Sequence, residues 1–94
     1  MPYLLVRHDV KDFAAWKPHF DKHAATRKKS GSKGAHLYKS SRKPNEVVLL
    51  FEWDNAKNMK AFGESDDLKK VQEKAGVVGR PDVFFLEEIE HQPA

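Results

Sequence analysis

The stretch NEVVLLFEWD, Asn45 to Asp54, decides how this chain folds. At a period of two it sends Val47, Leu49, Phe51 and Trp53 to one side of a strand and Val48 and Leu50 to the other. Both sides are apolar, whereas a strand with one wet face alternates apolar with polar residues. The stretch therefore predicts a central strand in a sheet that is covered on both faces. Just upstream, RKPN (Arg42 to Asn45) reads as a turn, because Pro44 has no N–H to give a ladder. Before it, AHLYKSS (residues 35–41) is a weaker strand. If the turn pairs Ser41 with Glu46, His36 faces Phe51 and Tyr38 faces Leu49, on the same side as Trp53.

Further outward, YLLVRHDV (residues 3–10) is a strand with apolar residues on both faces. Asp12 suits the N-cap of a helix whose apolar stripe is Phe13, Trp16, Phe20, Ala24 and Arg27. Pro18 removes a backbone donor from that helix and predicts a kink near itself. The helix is expected to stop at Ser30–Gly31, and SGSKG (residues 30–34) to form a turn. After the central strand, Asp54 can cap NAKNMKAF, interrupted at Gly63, and Ser65 opens LKKVQEKA, which stops at Gly76. GVVGRP (residues 76–81) reads as a loop able to act as a lid, and DVFFLEEIE (residues 82–90) as the last strand.

The order βαββαβ predicts one α+β domain over residues 1–94, a ferredoxin-like sandwich with antiparallel strand order 4-1-3-2. Both helical segments lie on one face. Leu4 and Val6 oppose Tyr3 and Leu5, and Phe84 and Leu86 oppose Val83 and Phe85, so the second face is apolar too. A second copy of the sheet is its simplest cover. Removing ~500 Å² of apolar surface per subunit from water is worth about 12 kcal/mol gross, so a homodimer is expected.

Composition excludes several classes of protein. There is no cysteine, hence no disulfide and no thiolate metal site. No run approaches the ~20 apolar residues of a membrane span, and MPYLLVRHDV lacks the regions of a signal peptide, so a cytoplasmic protein is expected. Charge is split along the chain. Residues 1–43 hold eleven Lys/Arg against three Asp/Glu, and residues 44–94 hold six against eleven. The basic run from Arg27 to Lys43 raises nucleic acid. An RNA-recognition sheet, however, carries a glycine-aromatic pattern on its third strand, and Glu46, Glu52 and Asp54 oppose phosphate there, so no nucleic-acid partner is expected.

YLLVRHDVKDFAAWKPHFDKH, GSKGAHLYKS, NEVVLLFEWD and FGESDDLKKVQEKAGVVGRPDVFFLEE together resemble the dimeric α+β barrel superfamily, and within it the small proteins related to the antibiotic biosynthesis monooxygenases. The resemblance covers about residues 2–88. It implies two sheets packed face to face, and either cofactor-free oxygenation of aromatic molecules or related small-molecule chemistry. The haem-degrading branch has an Asn on the first strand and a His after the Trp. Strand 1 here has Arg7 and His8, and residues 55–75 contain no His, so that activity is not expected. The oxygenase branch matches at Trp53, but its companion Asn falls near Leu49 here.

The candidate ligand-binding residues are Trp53, Tyr38 and Arg27, and the candidate acid/base residues are His23 and His36. A guanidinium on an apolar stripe, as at Arg27, suits a carboxylate or phenolate; the competing reading is a snorkelling side chain. Large aromatics such as Trp53 are most often packing. His19 and His23 have i,i+4 spacing, but nothing completes a site, so no metal and no cofactor are expected. The alternative function is a non-enzymatic small-ligand binder or a structural dimer.

Overall fold

A computed structural model describes residues 2–94. The elements run β1 (Pro2–Val10), α1 (Phe13–Lys22), α2 (Ala24–Ser30), β2 (Ser32–Lys39), β3 (Glu46–Trp53), α3 (Ala56–Gly63), α4 (Asp66–Ala75) and β4 (Val77–Glu87). The strands form one antiparallel sheet in the order β2-β3-β1-β4, the ferredoxin-like α+β arrangement expected from the order of elements. The helices pack on one face, and the core lies between the layers.

β3 alternates as its sequence demands. Val47, Leu49, Phe51 and Trp53 are buried at the helix layer, and the residues between them are half-buried on the other face. β1 does the same with Leu4, Val6, His8 and Val10 inward. These two strands are the sheet's centre, and their inward side chains meet Trp16, Met59 and Phe62 from above.

Several boundaries differ from expectation. The helix does not break at Pro18, which lies within α1 with its ring exposed. Ala14, whose carbonyl loses its partner to that ring, is itself exposed and so open to water. The break falls at His23, where ψ is −6°, and even there His23 N–H donates to the His19 carbonyl. The inward stripe is Phe13, Trp16, Phe20, His23 and Arg27; Ala24 is exposed. Asp12 occupies the N-cap position without a side-chain bond, and Asn45 from the β2–β3 turn instead accepts from Phe13 N–H at 3.2 Å. The N-cap of α3 is Asn55, not Asp54: its side chain accepts from Asn58 N–H. Ser65 caps α4 as expected, accepting from Leu68 N–H.

α2 ends at Gly31, whose φ of +116° favours glycine. A Cβ there would also lie 2.5 Å from the Asp54 carboxylate. β2 then starts at once, three residues earlier than expected. Its register is one residue off the expected one: His36 pairs with Leu50 and Tyr38 with Val48. The turn closes with Ser40 N–H donating to the Glu46 carbonyl, while the Ser40 hydroxyl accepts from the N–H groups of Arg42 and Lys43. A one-residue slip exchanges the two faces of a strand. His36 and Tyr38 therefore lie on the face away from the helices.

The reading of residues 76–81 as a loop is overturned as well. Val77 and Val78 pair with Val10 and Asp9, so this segment is the first part of β4. An irregularity in the ladder between Arg7 and Asp9 absorbs Gly79, whose φ is +71°. Gly63 closes α3 close against Phe85, where a Cβ would come within 2.9 Å of the ring. None of the described helices is long and apolar enough to cross a membrane.

Candidate functional site

Between helices and sheet lies a cavity of about 40 Å³, walled by β1, β3, α1, α2, α3 and α4. Its apolar walls include Phe20, Phe51, Phe62 and Trp16. Three buried polar side chains line it: His8, His23 and Arg27.

His8 follows Leu4 and Val6 in the inward alternation of β1 and is 2% exposed. Among the described residues, neither ring nitrogen has a hydrogen-bond partner. Burial, reinforced by the neighbouring Arg7 charge and opposed by Asp9, pushes its pKa down to about 4. The imidazole is neutral at pH 7, so it presents one N–H donor and one acceptor that no protein group takes up among the described residues. Its nearest ring neighbour is Trp16, edge-on at 5.7 Å.

Arg27 reaches the cavity because α2 continues the inward stripe of α1 past the His23 break. One guanidinium nitrogen donates to the Phe20 carbonyl at 2.9 Å. The guanidinium lies 4.1 Å from the centre of the Phe20 ring and 5.7 Å from that of Phe51, both cation–π distances. Among the described residues, no carboxylate comes within ion-pair distance of it. Burial lowers its pKa, and the charge on Asp21 only partly opposes that. A buried cation with one neutral acceptor has donors to spare for an anion.

His23 Nε2 lies 2.9 Å from Asp67 Oδ2, at the first turn of α4. The imidazole is buried, packs 5.7 Å from the Phe62 ring, and has a carboxylate at hand to balance any proton it takes up.

The candidate residues thus divide. The structure brings Arg27 and His23 together at the cavity. Trp53 stands behind the wall: it is fully buried, 4.9 Å from Phe62, and its indole N–H has no partner among the described residues. Tyr38 and His36 lie on the opposite face, stacked on each other at 6.4 Å. Tyr38 is 52% exposed. Sequence reasoning passed over His8, although it falls at an inward position of a strand already read as alternating. Asp67 gave no signal, since only the fold brings it beside His23. Among the described residues, no group of three or more His, Cys, Asp or Glu is placed to hold a metal ion.

Residues 9–74 match the family model for antibiotic biosynthesis monooxygenase. The chain belongs to the antibiotic biosynthesis monooxygenase family. Structural likeness runs further along the chain than the family match does. SnoaB, a cofactor-independent oxygenase from Streptomyces nogalater, superposes with a TM-score of 0.79 at 14% identity, over 99% of this chain and 97% of its own. Rv0793 from Mycobacterium tuberculosis gives 0.73 at 16% identity, with 96% of each chain covered. A conserved protein from Methanosarcina mazei Go1 gives 0.74 at 13% identity, over 93% of this chain and 91% of its own. At such identities the likeness is one of fold. A search of curated protein sequences finds no match. Within this family domain, the cavity with His8, His23 and Arg27 is the place where buried polar chemistry concentrates.

Proposed function

We propose that this family member binds a small aromatic or enolic molecule between helices and sheet and oxygenates it without metal or flavin, working as a homodimer. The supporting observation is the cavity's pairing of a neutral His8 with a cation, Arg27, neither of which has a side-chain partner among the described residues. In this reading a phenol or enol loses its proton to His23, whose charge Asp67 balances. His8 is the weaker candidate for that step. Protonating an imidazole of pKa about 4 from a phenol of pKa ~10 is uphill by about 8 kcal/mol, before any help from Arg27. His8 instead hydrogen-bonds the substrate as a neutral imidazole, and Arg27 holds the oxyanion.

The electron-rich carbon of the anion then forms a C–O bond to dioxygen. The resulting peroxide takes up a proton. Loss of water breaks the O–O bond and the remaining C–H bond and leaves a carbonyl. One dioxygen is consumed and one water released, with every electron supplied by the substrate. Oxygen uptake with a panel of dihydroxyaromatics tests the reading: His23→Ala is expected to lower the rate about 100-fold or more. No uptake above buffer with any of them would overturn it.

The dimer is supported by the open sheet face, where Phe84 and Leu86 are 51% and 41% exposed beside Leu5 and Leu50. One observation favours the second reading, a binder or structural dimer without turnover. A cavity of about 40 Å³ holds little more than water, against ~300 Å³ or more for a typical ligand site, so catalysis requires it to open.

A further inference from the structure

Arg27 borders two spaces. It lines the cavity, and with Ala24, Lys28, Ser32, Lys33 and Ala35 it also lines a surface groove of about 500 Å³ between α2 and the start of β2. Arg27 is common to the walls of both. Lys28 and Lys33 are exposed, and among the described residues no carboxylate pairs with either. Glu52, whose carboxylate approaches Gly34 at the groove's rim, projects from the other face of the sheet, where it lies 3.9 Å from His36. The groove is thus basic, with exposed Lys28 and Lys33 and, in its wall, a buried cation held by one carbonyl.

We propose that this groove is the entrance to the cavity and admits an anionic ligand, a small aromatic carboxylate. The inference rests on reading the cavity as a ligand site and adds the ligand's charge and its route. Lys28 and Lys33 raise the local concentration of the anion. Its carboxylate then draws Arg27 off the Phe20 carbonyl, because a two-oxygen, charge-assisted contact is about twice as strong as one to a neutral acceptor. With the guanidinium turned outward, cavity and groove join into a space large enough for an aromatic ring. Arg27 is both the lock and the ligand's first anchor.

The test is calorimetric titration of the full chain with 1-naphthoate and with its neutral counterpart 1-naphthylmethanol. Naphthoate is expected to bind about tenfold tighter or more at low salt, and Arg27→Gln to reduce that preference to threefold or less. The Lys28→Gln/Lys33→Gln double variant, changed only at exposed positions, is expected to slow naphthoate association roughly fivefold at low ionic strength, with the difference fading at high salt. Equal affinity for the two probes, or binding of neither, overturns the inference. So does a naphthoate preference that survives Arg27→Gln. Should Arg27→Gln not fold, salt-independent naphthoate association by the wild type overturns it instead. Oxygen uptake is read separately, so a failed entrance and a failed oxygenase reading are told apart.

Discussion

The two faces of one sheet show what a neighbour layer does to the same alternating pattern. On the helix side, Leu4, Val6, Val47, Leu49, Phe51 and Trp53 are at most 4% exposed. On the far side, Leu5, Val48 and Leu50 are only half-buried and Phe84 is 51% exposed. Residue types are similar, yet one face is finished and the other is not. The polar residues differ in the opposite sense. The finished face buries His8, and α2 above it buries Arg27, neither with an ionic partner among the described residues. The open face pairs its charges: Arg7 donates to Asp82 at 2.7 Å and to Glu46 at 2.6 Å. The Ser40 hydroxyl, and after it Arg7, holds the Glu46 carboxyl below the usual carboxylate range. Paired surface charges are ordinary packing, whereas a buried cation beside a neutral buried imidazole marks a candidate site.

The largest expected contrast comes from cutting an equivalent side chain on each face. Trp53→Ala removes a fully buried indole and is expected to destabilise by about 3–5 kcal/mol, a large part of a small domain's total. Leu50→Ala, on the same strand but facing outward, is expected to cost the isolated protomer about 1 kcal/mol. Urea midpoints of the two variants measure the asymmetry. Similar losses would mean that the open face is as tightly packed as the covered one.

The second effect belongs to association. In the proposed dimer each copy presents the same face, so Leu5→Glu places two unpaired carboxylates in one interface. Sedimentation is expected to show association weakened by a factor of about a thousand, or ~4 kcal/mol. If the wild type already sediments as a monomer at micromolar concentration, the open face has another role.

Much of this was legible in the residues. The alternation in NEVVLLFEWD and YLLVRHDV foretold a sheet with two apolar faces, and glycine and serine signals found three helix ends. What stayed hidden depended on single-residue offsets. Ser40 caps the β2–β3 turn one residue earlier than Ser41 would, and that shift carries His36 and Tyr38 to the other face. Gly79 and Pro81 read as a loop because a ladder irregularity that hosts them leaves no mark in the sequence. At the site, Arg27 and His23 were visible from helical spacing. Asp67 was not, since its contact with His23 is made only when α4 packs beside α1.

Third comes pH. His8 in the unfolded chain takes a proton from about pH 6.5 downward, but in the folded protein only near 4. Its contribution is fully present above pH 6.5 and is lost as pH falls toward 4. Between pH 7 and pH 4.5 the wild type is expected to lose roughly 2–3 kcal/mol more than His8→Gln, which does not titrate. Denaturant unfolding of both proteins at the two pH values measures the difference. Parallel losses would show that His8 is not held neutral by the covered face.

The smallest effect probes the least anchored part of that cover. α4 buries only Ala75 fully, yet it walls the cavity through Leu68, Val71 and Gln72. Two contacts fasten its first turn: the Ser65 hydroxyl accepting from Leu68 N–H at 3.2 Å, and Asp67 against His23. Ser65→Ala leaves the Leu68 N–H without its cap and is expected to cost about 1 kcal/mol. If α4 can open apart from the rest, hydrogen exchange should quicken over residues 66–75 while the amides of β1 and β3 keep their protection. Equal acceleration in the helix and the central strands would tie α4 to the global fold, and the cavity would then have to open without it, by movement at Arg27.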